Sequence, residues 1–69
     1  MEKFKELRKK AGFTQQSLAD ATGMVQSKIG RIENGNIDIG NISLKSAYKL
    51  SKALGVSMED LVPDSIKDE

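Results

Sequence analysis

The sequence predicts an all-α chain of five short helices, and three observations carry that reading. Apolar residues recur at the three-, four- and seven-residue spacings of a helix face. Residues that cap helix starts, and glycines that end helices, punctuate those stretches. No segment shows the apolar–polar alternation of a half-buried strand, and none repeats.

Phe4, Leu7 and Ala11 fall on one face of a first helix over 2–11, with Lys3, Lys5, Lys9 and Lys10 largely off it and Gly12 as its stop. Thr14 suits the N-cap of a second helix over 15–22, whose inward side is Leu18, Ala19 and Thr22; Gly23 ends it. Val25, Ile29 and Ile32 form the apolar stripe of a third helix over 26–33, terminated by Asn34-Gly35. Residues 36–42 read as loop. Ser43 can cap a fourth helix over 44–54, with Leu44, Ala47, Leu50 and Leu54 inward and Lys45, Lys49 and Lys52 in water. Ser57 and Asp60 resemble a capping box opening a fifth helix over 58–62, which Pro63 stops. The expected organisation is one helical domain, 1–62, and a disordered acidic tail, 63–69.

Composition narrows the chemistry. The 69 residues include no His and no Cys. Tetrahedral zinc sites, disulfides and the Ser–His or Cys–His nucleophile pairs are therefore excluded. A domain this small rarely forms a cleft that desolvates a carboxylate pair or a lysine, so no enzyme activity and no cofactor are expected. No apolar run approaches the roughly 20 residues of a membrane helix, and the N-terminus lacks a signal-peptide core. The expectation is a cytoplasmic protein without membrane partners.

Eleven basic residues against ten acidic ones give a net charge of +1. That balance argues against a nucleic-acid binder, until its distribution is considered. Residues 1–55 hold ten basic side chains against five acidic, whereas residues 56–69 hold Lys67 against five acids. The body is basic and the far end acidic.

Ala19 lies four residues before Gly23, and Ile29 and Ile32 lie six and nine after it. This is the spacing of a DNA-binding helix-turn-helix. A small residue at 19 lets two helices cross closely at about 90–120°. Glycine at 23 supplies the positive φ of a tight turn, and the two isoleucines pin the second helix so that its other face is free for the major groove.

The chain resembles the phage-repressor/Cro-type helix-turn-helix family, often called the XRE family, over roughly residues 3–62. The matching residues are Leu7-Arg8-Lys9-Lys10-Ala11-Gly12-Phe13-Thr14-Gln15, Leu18-Ala19, Gly23 and Ile29-Gly30-Arg31-Ile32-Glu33-Asn34-Gly35. They resume at Leu44, Leu50, Ala53-Leu54-Gly55-Val56-Ser57 and Leu61. The resemblance implies a compact, lambda-repressor-like bundle of five helices and a sequence-specific, repressor-like transcriptional regulator. Its partner would be a double-stranded operator, an inverted repeat bound by a homodimer, with half-sites about 10–10.5 bp apart or a multiple.

Carried over by position, Gln26, Ser27, Lys28 and Arg31 correspond to base-reading residues; Gln can pair with adenine and Lys or Arg with guanine. Gln15, at the positive end of the second helix, and Asn34, Ser43 and Lys45 correspond to phosphate contacts. Arg8 and Glu33 correspond to an ion pair joining the first helix to the end of the third. For each DNA-facing residue the competing reading is ordinary solvated surface. That reading is preferred for Lys49, Lys52 and the basic run of the first helix.

Three features depart from the family pattern. Val25 stands where Ser or Thr commonly caps the recognition helix, at a cost of about 1 kcal/mol. Gly30 lies inside that helix, where Ser or a larger residue is usual, costing roughly 0.5–1 kcal/mol relative to Ala. The loop before the fourth helix is about three residues longer than typical, and its Ile37 and Ile39 either fold onto the domain or meet a second chain. The weakened helix and this loop motivate a second reading, a protein-interaction module such as an antitoxin or accessory subunit with an unidentified protein partner.

Overall fold

A computed structural model describes residues 2–61. Among them are five α-helices and one turn of 3-10 helix: α1 (Glu2–Lys10), α2 (Gln15–Thr22), α3 (Gln26–Asn34), the 3-10 turn (Ile39–Asn41), α4 (Leu44–Leu54) and α5 (Met58–Leu61). No strand occurs among the described residues. The all-α reading and the order of helices hold. The expected acidic tail, 63–69, and the last residue of the fifth helix lie outside the described residues.

Local chemistry fixes the helix ends. The Thr14 hydroxyl accepts from the Ser17 N–H at 3.0 Å, and the Ser17 hydroxyl accepts from the Thr14 N–H at 2.9 Å. This reciprocal box satisfies two amide groups that a helix start would otherwise leave orphaned. Ser43 and Ser57 cap α4 and α5 by accepting from the N–H of Ser46 and Asp60. Val25 has extended φ and ψ and no side-chain cap bond. At the C-terminal end of α3, Gly35 adopts φ 81° and donates its N–H to Arg31 and Ile32 carbonyls, a conformation that costs a Cβ-bearing residue dearly.

Every element contributes to one core: Phe4, Leu18, Ala19, Ile29, Ile32, Ile39, Leu50, Leu54 and Leu61. α2 packs on α3 and α4, α1 packs on α3, and α5 packs on α4. The 36–42 segment is a working part of this core. Asp38 caps the 3-10 turn by accepting from the Gly40 N–H at 2.9 Å, and Ile39 is 6 % exposed. Ile37 and Ile42, partly buried, pack against the same core. Of the two fates open to the loop isoleucines, folding onto the domain is the one observed.

Three residues expected on inward faces lie outside. Ala11 is exposed, Val25 is 65 % exposed and Leu44 is 76 % exposed. Each stands at or beyond a helix end. Ala11 follows the last residue of α1, and Val25 is the extended N-cap of α3, so neither keeps the helical phase. Leu44 opens α4, and a helical side chain covers the turn preceding it, which is absent there.

Candidate nucleic-acid interface

α2 packs on α3 with Ala19 buried in the core at 1 % exposure, and the chain turns between them at Gly23, where φ is 73°. The Gly23 and Met24 N–H groups both donate to the Ala19 carbonyl. Thr22 is buried, and its hydroxyl donates to the Leu18 carbonyl at 2.8 Å. The motif therefore has a small buried residue in α2, a left-handed glycine at the turn and a satisfied buried polar group. Its geometry is fixed from within the two helices.

The phase of α3 divides its residues. Ile29, Ile32 and Glu33 are buried. Ser27, Arg31 and Asn34, spaced at i, i+4 and i+7, are exposed on the opposite side. Gln26 is exposed on one flank of that stripe and Lys28 half-buried on the other. An outward face of amide, hydroxyl and cationic groups thus stands on a helix anchored by two fully buried isoleucines.

Beneath the far end of α3 lies a buried polar cluster. Glu33 receives the Arg8 guanidinium through two bonds, Nε to Oε2 and Nη2 to Oε1, the second at 3.3 Å. A third Arg8 nitrogen, Nη1, donates to the Phe13 carbonyl at 2.8 Å. The Gln15 side-chain amide donates to Glu33 Oε1 at 3.2 Å. The cluster thus joins α1, the turn after it, α2 and α3. Burial raises the Glu33 carboxyl, but hydrogen bonds from Arg8 and Gln15, with the charges of Arg8 and Lys5, outweigh it and hold the group below its ordinary range. No buried side-chain polar atom among the described residues lacks a hydrogen-bond partner.

The structure thus brings Arg8, Glu33 and Gln15 together and sets Gln26, Ser27, Lys28, Arg31 and Asn34 along the outward part of α3. Ser43 and Lys45 are exposed at the start of α4, whose main packing is on α2 and α5. The Phe13 carbonyl was not foreseen from sequence, because a backbone acceptor has no residue-type signature. The Gln15–Glu33 bond was likewise missed, since it depends on how α2 crosses α3.

No group of His, Cys, Asp or Glu able to hold a metal ion occurs among the described residues. No described helix is long and apolar enough to cross a membrane.

A helix-turn-helix family model matches residues 4–61. The fold also matches the crystal structure of the restriction-modification controller protein C.AhdI from Aeromonas hydrophila, with TM-score 0.76 and 33 % sequence identity. That likeness covers 87 % of this chain and 86 % of the other. Comparison with curated proteins gave no match.

Proposed function

The chain belongs to the helix-turn-helix family, and from that premise we propose that it is a DNA-binding transcriptional regulator of repressor-like action. α3 enters the major groove of an operator half-site. Gln26, Ser27, Lys28 and Arg31 read base edges, while Gln15, Asn34, Ser43 and Lys45 hold phosphates. The observation that carries this reading is the division of α3: one side locked into the core by Ile29, Ile32 and Glu33, the other a solvent-facing polar stripe. The fold similarity to a controller protein supports the regulatory class.

The second part of the proposal is a homodimer on an inverted repeat, because one short helix reads few base pairs. Leu44 and Tyr48, exposed one turn apart on α4, are apolar surface open to a second copy. The competing protein-module reading loses support, since Ile39 is taken up by the chain's own core.

Selection of bound duplexes from a random pool tests both parts. A symmetric consensus, with binding that weakens as salt rises by about 0.9 log units per log unit of salt for each phosphate contact, is expected. Lys28→Ala and Arg31→Ala should each relax preference at particular positions, and Lys45→Ala should weaken binding to all sequences alike. A pool that yields no consensus, with binding insensitive to Lys28 and Arg31, would refute the assignment. Sedimentation finding only monomer, free and on DNA, would remove the dimer.

A further inference from the structure

One large apolar side chain stands at the candidate interface without a task in the fold. Among the described residues the exposed large hydrophobics are Val25, Leu44 and Tyr48. Leu44 and Tyr48 belong to α4 and form the surface offered above to a second copy. Val25 is 65 % exposed at the opening of α3, directly before Gln26, whereas Met24 on its other side is partly buried against the core. The Val25 backbone does what an N-cap requires, since its carbonyl accepts from the Lys28 and Ile29 N–H groups at 3.1 and 3.4 Å. Any residue could accept those bonds. The side chain adds no cap bond, and valine is among the poorest N-cap residues. A hydroxyl there would serve α3 better and would leave no branched apolar group in water.

Its place in the motif bears on what covers it. A recognition helix meets base edges with its N-terminal residues, and Val25 stands immediately ahead of Gln26 and Ser27 at that end. Base edges in the major groove carry hydrogen-bond donors and acceptors, with one apolar exception, the 5-methyl group of thymine. The polar side chains assigned to base reading, Gln26, Ser27, Lys28 and Arg31, are suited to the donors and acceptors. The methyl is the feature they leave unread, and an exposed aliphatic side chain is its complement.

We propose that Val25 is a specificity-determining residue that packs on the 5-methyl group of a thymine beside the bases met by Gln26 and Ser27. The assignment rests on the DNA-binding reading and deepens it. Burying one methyl group contributes about fourfold in affinity. Removing that methyl, with every hydrogen-bonding group of the base pair kept, therefore weakens binding at one position of the half-site. The same preference vanishes when the valine methyls are taken away.

The experiment uses the full chain and the consensus duplex that the wild type selects. Each thymine, on either strand, is replaced in turn by deoxyuridine, which lacks only the 5-methyl group, and binding is followed by fluorescence anisotropy. The wild type should bind about fourfold more weakly when one particular thymine of a half-site is replaced. Val25→Ser should bind the thymine and deoxyuridine duplexes alike at that position, while its preferences at the other positions stay as they are. Because serine supplies the missing cap, thermal unfolding of Val25→Ser should occur at or above the wild-type temperature, so its loss of discrimination is not a loss of fold. Val25→Ala, which removes the methyls and adds no cap, should lose the discrimination too. A wild type indifferent to deoxyuridine at every position overturns the contact, as does a consensus without any A·T pair. Discrimination that persists in Val25→Ser and Val25→Ala also overturns it. Should Val25→Ser keep the discrimination and lose the dimer in sedimentation, the side chain belongs to a contact between copies instead. Failure of the wild-type chain to bind any duplex in a salt-dependent way removes the DNA-binding reading itself, and that result is visible before any base is modified.

Discussion

Replacing Glu33 by Gln tests how much of the fold hangs on the cluster beneath α3. The exchange keeps the side chain's size and removes its charge. Arg8 then stays in place, 8 % exposed, with the Phe13 carbonyl and a neutral amide as partners. Removing one member of a buried ion pair costs about 3–5 kcal/mol, mostly because the remaining charge is uncompensated. A domain of this size has a total stability of only a few kcal/mol. At roughly 4–8 °C per kcal/mol, the midpoint should fall by about 12 °C or more, read by circular dichroism. Arg31→Ala, on the exposed face, is the control and should change stability by no more than about 0.5 kcal/mol. The double variant Arg8→Met/Glu33→Leu should be more stable than either single change, because it leaves no buried charge. A midpoint loss under about 4 °C for Glu33→Gln, or strict additivity in the double variant, would refute the reasoning. The pH dependence gives a second check. The Glu33 carboxyl is depressed in the folded chain, so its contribution is fully present above the unfolded value of about 4.3. It is lost as pH falls through the lower folded value. The wild type should therefore lose stability at acid pH more steeply than Glu33→Gln.

Two further outcomes follow from particular positions. Val25→Ser supplies the missing cap of α3 at a site already 65 % exposed, and should raise stability by about 1 kcal/mol in urea unfolding; a neutral or harmful effect would show that the N-terminus of α3 is already satisfied. Ile39→Ala empties a core position outside the five helices and should cost about 2–5 kcal/mol in the same assay, whereas a true surface loop would cost under about 0.5 kcal/mol.

Much of this fold is legible in the sequence because its signals are local. Thr14, Ser43 and Ser57 announce helix starts by hydroxyls that reach an amide three residues on, and Gly23 and Gly35 announce ends by their left-handed backbone. Ile29 and Ile32 follow from phase in mid-helix. Periodicity fails where phase is undefined, and so it puts Ala11, Val25 and Leu44 inward although all three are exposed. Ile39 has no such signal, because a single turn of 3-10 helix has too few residues to show a period. At the candidate interface, the outward residues of α3 could be named from spacing. The bonds from Gln15 to Glu33 and from Arg8 to the Phe13 carbonyl could not, since they join segments whose crossing is set by the assembled core.

The Arg8 cluster also has a consequence for how the molecule opens. Its bonds tie residues 8, 13, 15 and 33, so α1, α2 and α3 share polar links that none can break alone. α4 joins that unit mainly through apolar contact with α2, and α5 is a four-residue helix resting on α4. Hydrogen exchange should accordingly divide the chain. Amides of α5 should exchange first, by fraying that leaves the rest intact, while the inner amides of α1 to α3 should exchange at one common rate set by a single cooperative opening. The helix that meets DNA would then lie in the last part of the chain to let go.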